Sequence, residues 1–190
     1  MNSFVKKAGV LLFITVFVFS CNQQEPKEPD PIRRKSPIAI ASVKHDSTYI
    51  KIVYGQPYKN GRTIFGELVP YNAVWRTGAN EATELTTTQP IWINGEKLDR
   101  GTYAIFSIPK PETWTIIFNA ELGQWGAFEY DATKDVLHTD VPATPSAETT
   151  EVFTIQFAEV TNDSTAIIIK WAQTDVRIPV SFSAPPEPAS

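Results

Sequence analysis

VFTIQFAEVTNDSTAIIIKWA, residues 152–172, decides the fold of this chain. Phe153, Ile155 and Phe157 alternate with Thr154 and Gln156. A period of two puts one face of a strand on a core and the other on water. Thr161-Asn162-Asp163-Ser164 supplies turn chemistry, and Thr165–Ala172 returns as a β-branched run. Two such runs joined by a polar turn read as antiparallel neighbours.

The same signature recurs outward from this stretch. Val176–Phe182 (VRIPVSF) closes the body, and Pro179, with no N–H for a ladder, assigns it to an edge or a bulge. Trp114–Asn119 (WTIIFN) follows Thr102–Ile108 (TYAIFSI) after a Pro-Lys-Pro turn. Ile91–Ile93 runs into Asn94-Gly95, the strongest short hairpin signal. Thr48–Tyr54 (TYIKIVY) is a further strand. No long stretch has helical periodicity; Ile64–Leu68 or Asn72–Trp75 offers a single helical turn at most. Short strands punctuated by turns predict an all-β, antiparallel β-sandwich over residues 36–183, of jelly-roll or immunoglobulin-like type.

One long irregular crossover segment interrupts the strands. Residues 57–83 read PYKNGRTIFGELVPYNAVWRTGANEAT. Long irregular segments in compact domains are functional or disordered, and Ile64, Phe65, Leu68, Val69, Tyr71, Val74 and Trp75 make disorder costly here. Arg62, Tyr71, Trp75, Arg76, Asn80, Glu81 and Thr83 are the candidate binding residues: fork donors, an amide, a carboxylate and hydroxyls beside aromatic walls. Three readings stay open. In the first, the protein is a lipid-anchored module that binds a small molecule, a glycan or a partner, with Arg76 or Arg62 receiving a carboxylate or sugar hydroxyl. In the second, Glu81 is the general acid or base of a hydrolase or isomerase, its pKa raised by burial. In the third, Arg76 and Glu81 form a buried ion pair that holds up a structural envelope protein.

Gly61–Gly66 (GRTIFG), Val69-Pro70-Tyr71 and Val74–Thr83 (VWRTGANEAT) together resemble the core signature of an exported bacterial family, domain of unknown function 2911. Gly101–Pro109 (GTYAIFSIP) and Trp114–Asn119 are similar to it as well, so the resemblance spans about 36–182. It implies exported, often lipidated proteins with a β-rich domain. It implies no activity and no catalytic residue.

The N-terminus addresses location. Lys6 and Lys7 precede an apolar run, Ala8–Phe19, that is short for a bilayer span of roughly 20 residues. Val18-Phe19-Ser20-Cys21 resembles the lipobox of bacterial lipoproteins. The expected organisation is a signal peptide at 1–20, lipidated Cys21, a proline-bearing disordered tether over 21–35, and a disordered tail over 184–190. The protein would then be lipid-anchored in the cell envelope, with a tether that suits a periplasmic or an outer face. Cys21 is the sole cysteine, which excludes disulfides and thiolate metal sites once it carries lipid. Removing Lys6 and Lys7 with the signal leaves 15 basic against 21 acidic side chains, a net of −6. That balance argues against nucleic acid as a partner.

Other chemistry finds little support. There is no G-x-S-x-G elbow, and His45 and His138 read as surface or satisfied histidines. Asp131, Asp135 and Asp140 lack the spacing of a calcium loop. No metal and no cofactor are expected. Of Trp75, Trp92, Trp114, Trp125 and Trp171, most should fill the core, while Trp125, between Gly123 and Gly126, is the candidate exposed aromatic.

Overall fold

The structure, a computed structural model, describes residues 34–185. The signal segment, Cys21 and the tether up to residue 33 lie outside the described residues, as do residues 186–190. Residues Arg34–Ser190 form a compact unit of their own.

Nine strands make up the body: β1 (Ile38–His45), β2 (Thr48–Gly55), β3 (Thr83–Thr87), β4 (Ile91–Ile93), β5 (Glu96–Leu98), β6 (Gly101–Pro109), β7 (Thr113–Asn119), β8 (Asp135–Phe157) and β9 (Ser164–Ser181). They lie in the order β1-β2-β3-β6-β7-β8-β9-β4-β5. Every strand pairing is antiparallel, so the body is all-β, as its alternating runs predict. The one helical element among the described residues is a 3-10 turn at Ala132–Lys134 rather than at either place the sequence offered.

Residues 152–172 form the hairpin that their alternation predicts: Ile155 pairs with Ile169 and Phe157 with Ile167. Both strands then run on past it. β8 pairs with β7 over Asp135–Pro142 and with β9 from Ala143 onward, with register breaks after Pro145 and Thr150. The architecture is therefore one continuous sheet, handed on by a long strand, instead of two separate sheets. Its two ends share a core. The Tyr54 hydroxyl on β2 donates to the Ile155 carbonyl at 3.2 Å and accepts from the Ile155 N–H at 3.0 Å, tying β2 to β8.

Val176–Phe182 is not a separate edge strand. It continues β9, which has β8 on one side and β4 on the other. Pro179 is tolerated because the β8 ladder ends at Val176, and its carbonyl accepts from Asn94 N–H at 2.8 Å. Asn94 and Gly95, at φ 49° and 91°, make the hairpin turn their identity predicts.

The main core gathers Trp75, Trp114, Phe118, Phe153 and Trp171 with the isoleucines of β2, β4, β7, β8 and β9. A second, smaller cluster of Ala82, Ala104, Phe106 and Ile117 lies on the other face of β6 and β7. Ala127 and Tyr130, from the connection after β7, cover it. Apolar cover on both faces explains why β6 and β7 read as nearly continuous apolar runs.

Candidate functional site

The irregular segment leaves β2 at Gly55 and rejoins the sheet at Thr83. Ile64 and Val69 plunge into the core and are tied by a Val69 N–H to Ile64 carbonyl bond of 2.9 Å. Trp75 then exchanges two 2.8 Å backbone bonds with Ser107, extending the sheet by one rung. Beyond it the chain turns tightly, with Thr77 at φ 53° and Asn80 at φ 66°.

Small residues are required at this turn because it presses on the end of β2. A Cβ added at Gly78 would stand 3.0 Å from the Gly55 carbonyl oxygen and 3.1 Å from Thr83 Oγ1. The hydroxyls are consumed locally. Thr83 Oγ1 donates to the Thr77 carbonyl at 2.7 Å, and Thr77 Oγ1 shares a hydrogen with Ser107 Oγ at 2.9 Å. Thr83 is thus a structural residue, sealed from any ligand.

The remaining polar side chains part company. A cavity of about 380 Å³ collects Arg62, Arg76 and Asn80 with Lys35, Asn60 and the walls of Trp75 and Trp171. No carboxylate among the described residues lines it. Arg62 is fixed at the rim, its Nε donating to the Lys59 carbonyl at 2.9 Å and its Nη2 to the Tyr58 carbonyl. Tyr71 faces a neighbouring shallow pocket that also touches Arg62. Glu81 lies in a third groove, with Ile38, Val53 and Glu84.

The ion pair between Arg76 and Glu81 that the third reading requires is not made. Glu81 is held in fork geometry by Arg34, Nη1 to Oε2 at 2.7 Å and Nη2 to Oε1 at 2.6 Å. The left-handed turn at Asn80 and the bridge between Glu81 and Trp125 send the two side chains into different cavities. Arg34 falls in the stretch read as free tether, so the end of that stretch is bound to the body.

The electrostatics follow this separation. The Arg34 hydrogen bonds hold the Glu81 carboxyl below its ordinary range, against a smaller opposing push from burial. That is the reverse of the raised pKa a general acid needs. Arg76 is half-buried, and burial pushes its pKa down. A guanidinium stays charged in any protein setting. Its Nε is sealed from solvent with no hydrogen-bond partner among the described residues. A sealed N–H without an acceptor is a standing cost to the fold.

Two outcomes are expected from these environments. Arg76→Met should leave the stability unchanged or raise it by up to about 1 kcal/mol, because it removes an orphaned N–H on a half-buried cation and orphans no carboxylate. A loss of several kcal/mol in thermal denaturation would show a partner that the geometry does not contain. Arg34→Ala should destabilise the protein in a pH-dependent way. The folded-state pKa of Glu81 is depressed, so the pair contributes above the ordinary glutamate value of about 4.3. The contribution is lost as pH falls through the depressed value. Wild-type and Arg34→Ala melting curves should therefore converge in acid.

The histidines sit elsewhere. His138 Nε2 lies 2.7 Å from Asp135 Oδ2, and Asn119 Nδ2 donates to Asp135 Oδ1 at 2.7 Å. The Tyr130 hydroxyl completes this satisfied node between β7 and β8. His45 pairs with Asp163 at 3.0 Å. Among the described residues no group of three or more His, Cys, Asp or Glu is placed to hold a metal.

Trp125 is exposed, as its glycine-flanked position predicts. Its loop is tied to the turn beside Arg76 by a Gly126 N–H to Asn80 carbonyl bond and an Ala82 N–H to Gln124 carbonyl bond, both 2.9 Å. Sequence reasoning passed over Lys35, Asn60 and Phe128. Lys35 comes from the stretch read as tether, Asn60 from the irregular segment but away from its densest polar cluster, and Phe128 looks like any core residue.

No curated protein and no solved structure matches the chain. The family model described as "Protein of unknown function (DUF2911)" matches residues 36–180, from just before β1 almost to the end of β9, and the chain belongs to that family.

Proposed function

We propose that this protein is a binding module for a small organic anion, received by Arg76 in the cavity between the irregular segment and the core. One observation carries the reading: among the described residues, a half-buried guanidinium with a sealed, unpartnered Nε lines a cavity that holds Arg62 and Lys35 and no carboxylate. A carboxylate or phosphate would meet its two Nη groups in fork geometry. Trp75 and Trp171 would wall the rest of the ligand. Glu81, occupied by Arg34, takes no part.

We further propose that Cys21 carries lipid and holds the module at the cell envelope. The support is the basic, apolar and small-residue pattern of residues 1–21. Growth with labelled palmitate should tag the full chain, and Cys21→Ser should move it out of the membrane fraction.

Calorimetric titration tests the binding site. Glucuronate, acetate and inorganic phosphate are the probes, with acetamide as the neutral control. Binding is expected for the anions alone and should weaken as ionic strength rises. Arg76→Gln should weaken it roughly 10- to 100-fold, the worth of one charged hydrogen-bonded contact. Absence of anion binding, or binding indifferent to Arg76→Gln, would sink the proposal.

A further inference from the structure

We propose that the ligand of this site is an amphiphile, with its anion on Arg76 and its ring or chain on the Trp125–Phe128 loop. The inference rests on reading the cavity as an anion site and adds the ligand's second half.

Phe128 is 85% exposed and Trp125 59% exposed. Scattered single apolar residues on a surface need no explanation; two aromatics on one short loop do. The loop does not hang free. Two backbone hydrogen bonds hold it against the Arg76 turn: Gly126 N–H to the Asn80 carbonyl and Ala82 N–H to the Gln124 carbonyl, which together form the Glu81–Trp125 bridge. Its aromatics are therefore presented at a fixed place.

That place is beside the unmatched cation. A Cβ at Gly126 would stand 2.7 Å from Phe128 Cε2 and 3.6 Å from Arg76 Nη1. A single glycine, left-handed at φ 75°, separates an uncovered phenyl ring from the outer end of the guanidinium. A cation without an acceptor and a ring without cover are thus neighbours. An inorganic anion would satisfy the first and leave the ring wet. A neutral apolar molecule would cover the ring and leave the cation unmatched. A molecule carrying an anion on an apolar body satisfies both. That chemistry is shared by free aromatic or fatty acids and by the anionic lipids of a bilayer.

The test titrates Arg34–Ser190, the compact unit holding all nine strands and both apolar clusters, with acetate, benzoate and 2-naphthoate. Affinity should rise about tenfold along the series as more ring is covered. Trp125→Ser with Phe128→Ser should flatten the series, so that the three acids bind alike. Both side chains are exposed, so the double variant should keep the wild-type melting temperature. The neutral 2-naphthylmethanol should not bind. Vesicles locate the source: capture by phosphatidylglycerol but not phosphatidylcholine, dependent on Arg76 and Phe128 and seen without 2-naphthoate binding, identifies bilayer lipid as the amphiphile. If the three acids bind equally to the wild type and all are lost in Arg76→Gln, the amphiphile is refuted and the anion site stands. If no anion binds in any form, both readings fall. Self-association through Trp125 and Phe128 without naphthoate or vesicle binding would likewise overturn the proposal.

Discussion

Trp75→Ala is expected to destabilise the protein by about 5 kcal/mol. Trp75 stacks on Trp171 with ring centres 6.1 Å apart and an interplanar angle of 15°. Edge contacts surround it, at 5.4 Å from Phe153, 5.9 Å from Trp114 and 6.1 Å from Phe65. Its indole N–H also donates to the Gly78 carbonyl at 3.1 Å, pinning the turn that carries Arg76. Truncation empties the centre of an aromatic cluster and frees a buried carbonyl, and tryptophan-to-alanine changes in cores cost roughly 3–5 kcal/mol before the hydrogen bond is counted. Domains are stable by only about 5–15 kcal/mol, so the variant should be close to unfolding. Urea denaturation should show it, with Trp75→Phe recovering part of the loss, because a smaller ring is kept while the Gly78 contact and part of the indole packing are missing. A cost below about 2 kcal/mol for the alanine variant would mean that the cluster relaxes around the gap.

Gly55→Ala is expected to cost about 3 kcal/mol, at the upper end of the range for overpacking. Its Cβ would fall 1.9 Å from the Ala79 carbonyl oxygen and 2.8 Å from the Ala79 carbonyl carbon. Both are backbone atoms in a turn locked by the Thr83–Thr77 and Trp75–Gly78 bonds, so neither can swing aside. The melting temperature should drop by roughly 6–12 °C. Because the turn must shift, anion binding through Arg76 should fall too. Gly61→Ala is the control. Gly61 has nothing within 4 Å of its Cβ position but sits at φ 71°, so it isolates the backbone cost of about 1 kcal/mol. Equal losses in the two variants would refute the steric account of Gly55.

Much of the scaffold was legible in the residues. The alternation at 152–157 and the β-branched return predicted the β8–β9 hairpin, and Asn94-Gly95 the turn between β4 and β5. The same reading broke one continuous β9 into two strands, because Pro179 is a local stop signal. Whether a missing N–H matters depends on which neighbour is present at that rung, and β8 has already departed.

The site was legible only in part. Arg62, Trp75, Arg76 and Asn80 do meet in one cavity. Thr83, Tyr71 and Glu81 do not join them. Proximity in sequence suggested an Arg76–Glu81 pair, yet Glu81 is matched by Arg34, 47 positions away in a stretch that reads as tether. Phe106 and Phe128 look alike in sequence, but the first is fully buried and the second exposed.

The sequence by itself determined the strands, their turns and the aromatic character of the core, because side-chain period and turn chemistry follow from backbone geometry over a few residues. Only the tertiary structure decided which cation, among the described residues, has a sealed N–H without a partner and which aromatic lacks cover. Matching a charge or burying a ring depends on which distant segments the sheet brings within a few ångströms, and that distance is set by the fold as a whole.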